Sequence, residues 1–130
     1  MRYIKLFEST ESGYKEIEGS TYNDNIHRCL RFDTTETNIL YKLAHTYNRC
    51  QSYDWNNETR FTVEKIIESK DNKCIYIRYN IYKCFDDWFY VAEEKGYIRA
   101  IDRLKSFNII YYKCDNIEGL LNCIKNYLTK

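Results

Sequence analysis

The sequence contains no proline and only four glycines among its 130 residues. Because these two residue types form most tight turns, the turns of this chain must depend on Asn, Asp and Ser. Long hydrophobic runs are also absent, and no segment approaches the length of a membrane span. The formal charge of +1 argues against an acidic DNA mimic and gives no general electrostatic attraction to nucleic acid, although a local basic patch stays possible.

In a small secreted protein, six cysteines would suggest a framework of disulfides. No apolar signal segment precedes the six cysteines, so we expect a reducing, cytoplasmic setting. None of them is paired at the spacing of a zinc knuckle, and four lie within apolar or aromatic runs, which favours buried thiols over a metal site. We expect no metal and no cofactor. The six are Cys29, Cys50, Cys74, Cys84, Cys114 and Cys123.

Composition and hydrophobic periodicity predict that residues 1–130 form a single α+β domain. We expect an antiparallel sheet of about five strands, with helices 34–48 and 116–128 packed mainly on one face. Each helix is preceded by an aspartate with a glutamate three positions later, the reciprocal pattern of a capping box. These pairs are Asp33 with Glu36 and Asp115 with Glu118.

Alternation of apolar and polar residues marks the strands, which we predict at 2–8, 14–18, 61–68, 74–85 and 88–93, with a last one from residue 108. In segment 74–85, isoleucines and Tyr79 face one way, while Tyr76, Arg78, Asn80 and Tyr82 face the other. We interpret the polar stretch 51–59 as a loop.

Residues 97–107 fit a helix better than a strand, because their apolar side chains share one helical face. Lys95, Arg99 and Arg103 would then form a basic ridge on the opposite face. Such a ridge is able to meet phosphates or an acidic partner, since arginine grips an oxyanion with two donors. A solvated helix face explains the same residues.

Motifs at both ends of the chain resemble small uncharacterised proteins of tailed bacteriophages, notably aquatic ones. The motifs are residues 2–8, 87–91, 112–115 and 118–124, about a third of the chain. They are structural and transfer no catalytic residue. The resemblance implies a protein that acts in the host cytoplasm, and the segment 94–107 departs from it as an amphipathic insertion.

The candidate binding surface is the aromatic and arginine face of segment 74–85. Tyr76, Arg78 and Tyr82, joined by Trp88, Tyr90 and Tyr111 from neighbouring strands, would form a flat stacking surface with one positive charge. Such surfaces bind bases, nucleotides or the aromatic side chains of a protein partner. If helices cover both faces of the sheet, the same tyrosines belong to the core.

Catalytic motifs give weaker signals. His27 and His45 have no carboxylate or cysteine at ligand spacing, and we interpret them as surface or half-buried residues. A metal-dependent nuclease would need carboxylates that converge beside a lysine, for which the candidates are Asp86, Asp87, Glu64 and Lys65. The turn position explains Asp86 and Asp87 without a metal.

The sequence therefore favours a non-catalytic, phage-encoded binding protein that inhibits a host factor such as a defence system, with a host protein as its partner. A module that sequesters nucleotides or binds nucleic acid, a small metal-dependent nuclease and a virion component are the alternatives. The oligomeric state does not follow from the sequence.

Overall fold

The computed structural model describes residues 12–46, 50–56, 60–68, 73–99 and 105–128. In chain order the helices and strands are β1 (Tyr14–Ile17), α1 (Gly19–Asn25), α2 (Thr34–Thr46), β2 (Cys50–Asn56), β3 (Arg60–Glu68), β4 (Lys73–Lys83), β5 (Phe89–Arg99), β6 (Lys105–Cys114) and α3 (Ile117–Leu128). Short 3-10 turns occupy Ile26–Arg28 and Phe85–Asp87. The predicted α+β class is confirmed.

The sheet has six antiparallel strands within the described residues, in the order β1-β6-β5-β4-β3-β2. Strand β2 is not among the predicted strands, because it forms from residues that we predicted as a loop. It lies at the edge of the sheet, where polar composition is common and the alternation signal is weak. The predicted strand 2–8 lies outside the described residues.

The helix predicted at 97–107 is wrong. Tyr97–Arg99 continue β5, Lys105–Phe107 begin β6, and residues 100–104 lie outside the described part of the chain. Strand β4 extends to Lys73, which pairs with Arg99. This pairing satisfies the backbone groups with which the two strands face each other, whereas a short helix would leave those on the β5 side of β4 without strand partners. The supposed insertion is therefore the far end of a long hairpin.

Helices α2 and α3 pack on the same face of the sheet, as predicted. Leu40 of α2 and Ile124 of α3 are almost completely buried, and both join the core cluster that contains Phe61, Ile77 and Val91 from the central strands. The alternation predicted for segment 74–85 is confirmed, because Ile77, Tyr79 and Ile81 all point into this core. We call this side of the sheet the helix face.

One of the two predicted helix caps is confirmed, and the other is formed by a neighbouring residue. Asp33 caps α2 as predicted, since its Oδ1 accepts a hydrogen bond from the Glu36 N–H at 2.8 Å. At α3, Asn116 takes the place predicted for Asp115, and its Oδ1 accepts from the Gly119 N–H at 2.9 Å. The Asp115 N–H instead donates to the Gly13 carbonyl at 2.8 Å.

A buried ion pair connects α2 to the end of β4. Glu36 does not complete a reciprocal cap but accepts a hydrogen bond from Lys83 Nζ at 2.6 Å. Asp33 and Asp87 also approach Lys83 Nζ, at 3.9 and 3.8 Å. Burial lowers the pKa of Lys83, but the hydrogen bond to Glu36 and the three negative charges outweigh it and raise the pKa overall. The pair fixes α2 in position.

Candidate interaction surface

The opposite side of the sheet is divided by helix α1. Tyr22 of α1 is buried against three tyrosines of the sheet, with ring centroids 5.5 Å from Tyr82, 6.2 Å from Tyr90 and 4.5 Å from Tyr111. The first two contacts are edge-to-face, an arrangement that aromatic pairs prefer. Burial is the main reason why the pKa of Tyr22 is raised. This end of the sheet is a second, smaller core.

The covered tyrosines therefore offer little surface to a partner. Tyr90 is only 3% exposed, and Tyr82 and Tyr111 pack against the same small cluster. The stacking surface predicted from the sequence thus exists only in part. The alternative that these tyrosines belong to a core holds for Tyr82, Tyr90 and Tyr111. Tyr76 and Arg78 lie beyond the area that α1 covers.

The other end of this side is accessible, and we call it the open face. Arg78 has 37% of its side chain exposed, and Ile109 is 47% exposed. The strand register places these residues in two adjacent rows across β3, β4, β5 and β6. The open face consists of Glu64, Tyr76, Arg78, Glu94, Phe107 and Ile109.

Arg78 lies at the centre of the open face between two carboxylates. Its Nε is 3.5 Å from Glu64 Oε1 and 3.5 Å from Glu94 Oε2, because the three residues occupy directly opposed positions on β3, β4 and β5. The guanidinium also lies 5.4 Å from the centre of the Tyr76 ring. Opposed charges on neighbouring strands and a cation beside a ring both stabilise this arrangement.

Hydrogen bonds extend this network to both sides. The Tyr76 hydroxyl donates to Glu64, and Asn80 Nδ2 donates to Glu94 Oε1 at 3.3 Å. Burial, followed by the hydrogen bond and the charge of Glu64, raises the pKa of Tyr76 to about 12. The Tyr76 hydroxyl therefore stays protonated at neutral pH and orients the Glu64 carboxylate.

The aromatic part of the open face depends on a glycine. Tyr76 and Phe107 lie on β4 and β6, and Gly96 of β5 stands directly between them in the register. Since Gly96 has no side chain, the two rings approach each other across it, with centroids 5.9 Å apart and an interplanar angle of 68°. Glycine within a strand often marks such a close approach.

The charge of the open face decides between two kinds of ligand. One guanidinium against two carboxylates gives a formal charge of −1, and both carboxylates already contact the guanidinium. A phosphate would have to displace them and would meet net repulsion. The open face is therefore better suited to a protein side chain than to a nucleotide.

Trp88 lies at a different place from the other candidate residues. It follows the turn Phe85–Asp87 and is 39% exposed, and the Lys113 ammonium lies 3.4 Å from the centre of its ring. Arg28 lies in the same way over Phe85, at 5.2 Å. These exposed rings belong to the end of the sheet near α1, so Trp88 does not join the open face.

The basic ridge predicted on a helix does not form as predicted. Lys95 is exposed but belongs to β5, and Arg99 belongs to the same strand. Alternation places Lys95 on the side opposite to Glu94 and Gly96. Arg103 lies outside the described residues.

The nuclease candidates are not brought together either. Glu64 belongs to the open face, whereas Lys65 is completely buried on the helix face. Asp87 lies beside Lys83 at the end of β4, several residues along the strand from Arg78, which pairs with Glu64. Nothing is described of the Asp86 side chain. Among the described side chains, no three histidine, cysteine or acidic residues form a group that could hold a metal ion.

Glu93 is the carboxylate that burial perturbs most clearly on the helix face. It is 1% exposed, and burial raises its pKa, although the nearby Tyr79 hydroxyl and the charge of Lys95 act in the opposite direction. A raised pKa would suit a general acid, but such a group must reach a substrate. Glu93 is enclosed by the core, so we interpret it as a structural residue.

Sequence reasoning missed three members of the open face, namely Glu94, Phe107 and Ile109, and it named Glu64 only as a nuclease candidate. Glu94 lies just beyond the end that we predicted for the strand 88–93, and Phe107 lies within the segment that we predicted as a helix. Extending the alternation of β4 to its neighbours would have identified them, but only with the strand register known.

The chain matches no protein-family model, no curated protein and no solved structure. In the ranges that the structure describes, no helix has the length and apolar character needed to cross a membrane.

Proposed function

We propose that this chain is a non-catalytic protein-binding domain and that the open face is its contact surface. The observation that carries the proposal is the accessible arginine between Glu64 and Glu94, with Tyr76, Phe107 and Ile109 beside it. Aromatic and arginine side chains supply most of the binding energy in protein interfaces. They project here from paired strands, so little conformational entropy is lost when a partner binds.

The chemistry of the open face specifies its partner in part. Phe107 and Ile109 offer an apolar contact, and the net negative charge of the described open-face side chains favours a lysine or arginine on the partner. The proposed partner surface therefore presents an apolar side chain flanked by a basic one.

The resemblance to phage proteins supports a host protein as this partner and the host cytoplasm as the place of action. Binding through the open face would then inhibit a host factor, such as a component of a defence system. The sequence motifs support this host target, whereas the geometry of the open face supports the contact surface.

The proposal is tested by affinity capture from bacterial lysates with three immobilised forms of the protein. The first is the wild type, the second is Ile109→Asp, and the third is Lys42→Glu, which changes an exposed residue on α2. Ile109 is exposed, so its substitution leaves the core intact. We expect the wild type and Lys42→Glu to capture one protein in stoichiometric amount. Ile109→Asp should bind that protein more weakly by about 2 kcal/mol, or roughly 30-fold in affinity.

Two results would contradict the proposal. The first is equal capture by all three forms, which would place the contact elsewhere. The second is tight binding of ATP or a single-stranded oligonucleotide to the wild type, with an affinity that falls steeply as salt is added. The latter would favour the nucleotide-binding alternative despite the charge of the open face.

A further inference from the structure

Two cysteines face each other where the chain leaves β4. Leu30 pairs with Lys83 in an antiparallel bridge, and the Leu30 N–H donates to the Lys83 carbonyl at 2.7 Å. In antiparallel pairing the next opposed residues are Cys29 and Cys84, and their Sγ atoms are 3.9 Å apart. The two thiols thus occupy neighbouring positions although 55 residues separate them in sequence.

The backbone around this pair suits a covalent link. Residues next to a hydrogen-bonded antiparallel pair have Cα atoms about 4.5 Å apart. Disulfides join residues whose Cα atoms are about 4.4 to 6.8 Å apart, with a sulfur–sulfur bond of about 2.0 Å. From this typical spacing and the 3.9 Å between the sulfurs, we expect rotation of the two side chains about χ1 to bring the sulfurs together without movement of a strand.

The two thiols differ in accessibility and in reactivity. Cys84 is buried, whereas Cys29 is only partly buried. A hydrogen bond with Cys84 lowers the pKa of Cys29, against the opposing effect of burial, and the same hydrogen bond together with burial raises the pKa of Cys84. Since the thiolate is the reactive form of cysteine, Cys29 is the group that an oxidant meets first.

We infer that Cys29 and Cys84 form an oxidation site at which a peroxide converts the two thiols into an intramolecular disulfide. The Cys29 thiolate attacks the peroxide, the O–O bond breaks, and Cys29 becomes a sulfenic acid as water leaves. The Cys84 sulfur then attacks the Cys29 sulfur and loses its proton, and the S–O bond breaks to release a second water. Two thiols lose two electrons in total, and one hydrogen peroxide is reduced to two waters.

The disulfide would fix the segment that covers the tyrosines of the sheet. Cys29 follows α1 and its 3-10 turn, and Cys84 belongs to the same small cluster as Tyr22 and Tyr90. Oxidation therefore ties α1 to the end of β4. The open face lies at the other end of the sheet and keeps its geometry.

Cys114 and Cys123 provide a matched internal comparison. Both are buried in the main core, and the hydrogen bond to Cys114 together with burial raises the pKa of Cys123. The Cys123 thiol is thus protonated and out of reach of an oxidant. We expect this pair to stay reduced under conditions that oxidise Cys29 and Cys84.

The experiment treats the folded wild type with hydrogen peroxide and then digests it with trypsin without reduction. Cleavage after Arg28, Arg31, Lys83 and Lys95 isolates the two cysteines on separate peptides. We expect the intact mass to fall by two hydrogen atoms and residues 29–31 to be joined to residues 84–95. A reducing agent should reverse both changes, and the oxidised form should melt at a higher temperature than the reduced form.

Two variants identify the order of the steps. In Cys84→Ser, Cys29 should stop at the sulfenic acid, which dimedone labels, and no linked peptide should appear. Cys123→Ser should give the same linked peptide as the wild type. The inference is overturned if the wild type keeps both thiols, or if Cys29 becomes linked to a different cysteine, including one in a second molecule. The wild-type peptide map decides this even if Cys84→Ser does not fold.

Discussion

Replacing Gly119 by alanine would place a methyl group against the backbone of Gly13, where the start of α3 meets the start of β1. A Cβ at Gly119 would lie 2.1 Å from the Gly13 carbonyl oxygen and 2.8 Å from the carbonyl carbon. Both atoms are backbone, so no side chain is able to rotate away. Gly13 itself has a φ of +78°, a left-handed conformation that glycine adopts without strain.

The cost of Gly119→Ala follows from these contacts. The two backbones must separate by roughly 0.9 Å to restore a contact of 3.0 Å. That movement breaks the hydrogen bond from Asp115 N to Gly13 O, now 2.8 Å, and weakens the one from Asn122 Nδ2 to Ser12 O, now 3.0 Å. The two hydrogen bonds account for a loss of about 1 kcal/mol each, and overpacking adds a loss of about 1–3 kcal/mol. The higher helix propensity of alanine offsets about 1 kcal/mol of this loss.

We therefore expect Gly119→Ala to lower the free energy of unfolding by about 2–4 kcal/mol, or the Tm by about 8–16 °C. Urea denaturation followed by far-UV circular dichroism measures this directly. Asn122→Ala, which removes only the side-chain hydrogen bond, should cost about 1 kcal/mol. Glu118→Ala, at an exposed neighbouring position, should change stability by less than about 0.5 kcal/mol. A Gly119→Ala protein as stable as the wild type would refute the close approach of the two backbones.

The remaining predictions concern the buried polar groups and the cysteine pair. Burial raises the pKa of Glu93 above its ordinary value of 4.5, so its contribution to stability is present below that pH and is lost as pH rises through the folded-state pKa. Urea titrations measure the difference in free energy of unfolding between Glu93→Gln and the wild type. This difference should favour the variant more at pH 7 than at pH 4, and an equal difference at both pH values would contradict the prediction. Lys83→Met should cost about 3 kcal/mol at pH 7 because it leaves the Glu36 charge buried, and adding Glu36→Gln should recover most of the loss in the same assay. The Cys29–Cys84 disulfide should stabilise the oxidised protein by about 4 kcal/mol in the chain-entropy model. Calorimetry of the oxidised and reduced forms measures this, and equal Tm values would contradict the prediction.

Sequence patterns predicted the elements whose signals are local. Asp33 marks the start of α2 because a side-chain oxygen beside the first turn satisfies its amides. The alternation in segment 74–85 predicted which residues enter the main core, since side chains of a strand point to opposite faces. At α3 the pattern indicated the helix but the wrong cap, because Asp115 and Asn116 are both able to cap and the contact with Gly13 decides between them.

The sequence by itself thus determined the α+β class, the two main helices and the two faces of β4, because each depends on contacts between residues near in sequence. Only the tertiary structure decided that Tyr22 covers Tyr82 and Tyr90 while Arg78 stays partly exposed and Tyr76 lies half-buried beside it. Strand pairing also explains why the ends of the predicted helix 97–107 belong to β5 and β6, and its register places Glu64 and Glu94 beside Arg78. Pairing between strands is set by backbone groups far apart in the chain, and a local helical pattern is too weak to compete with it.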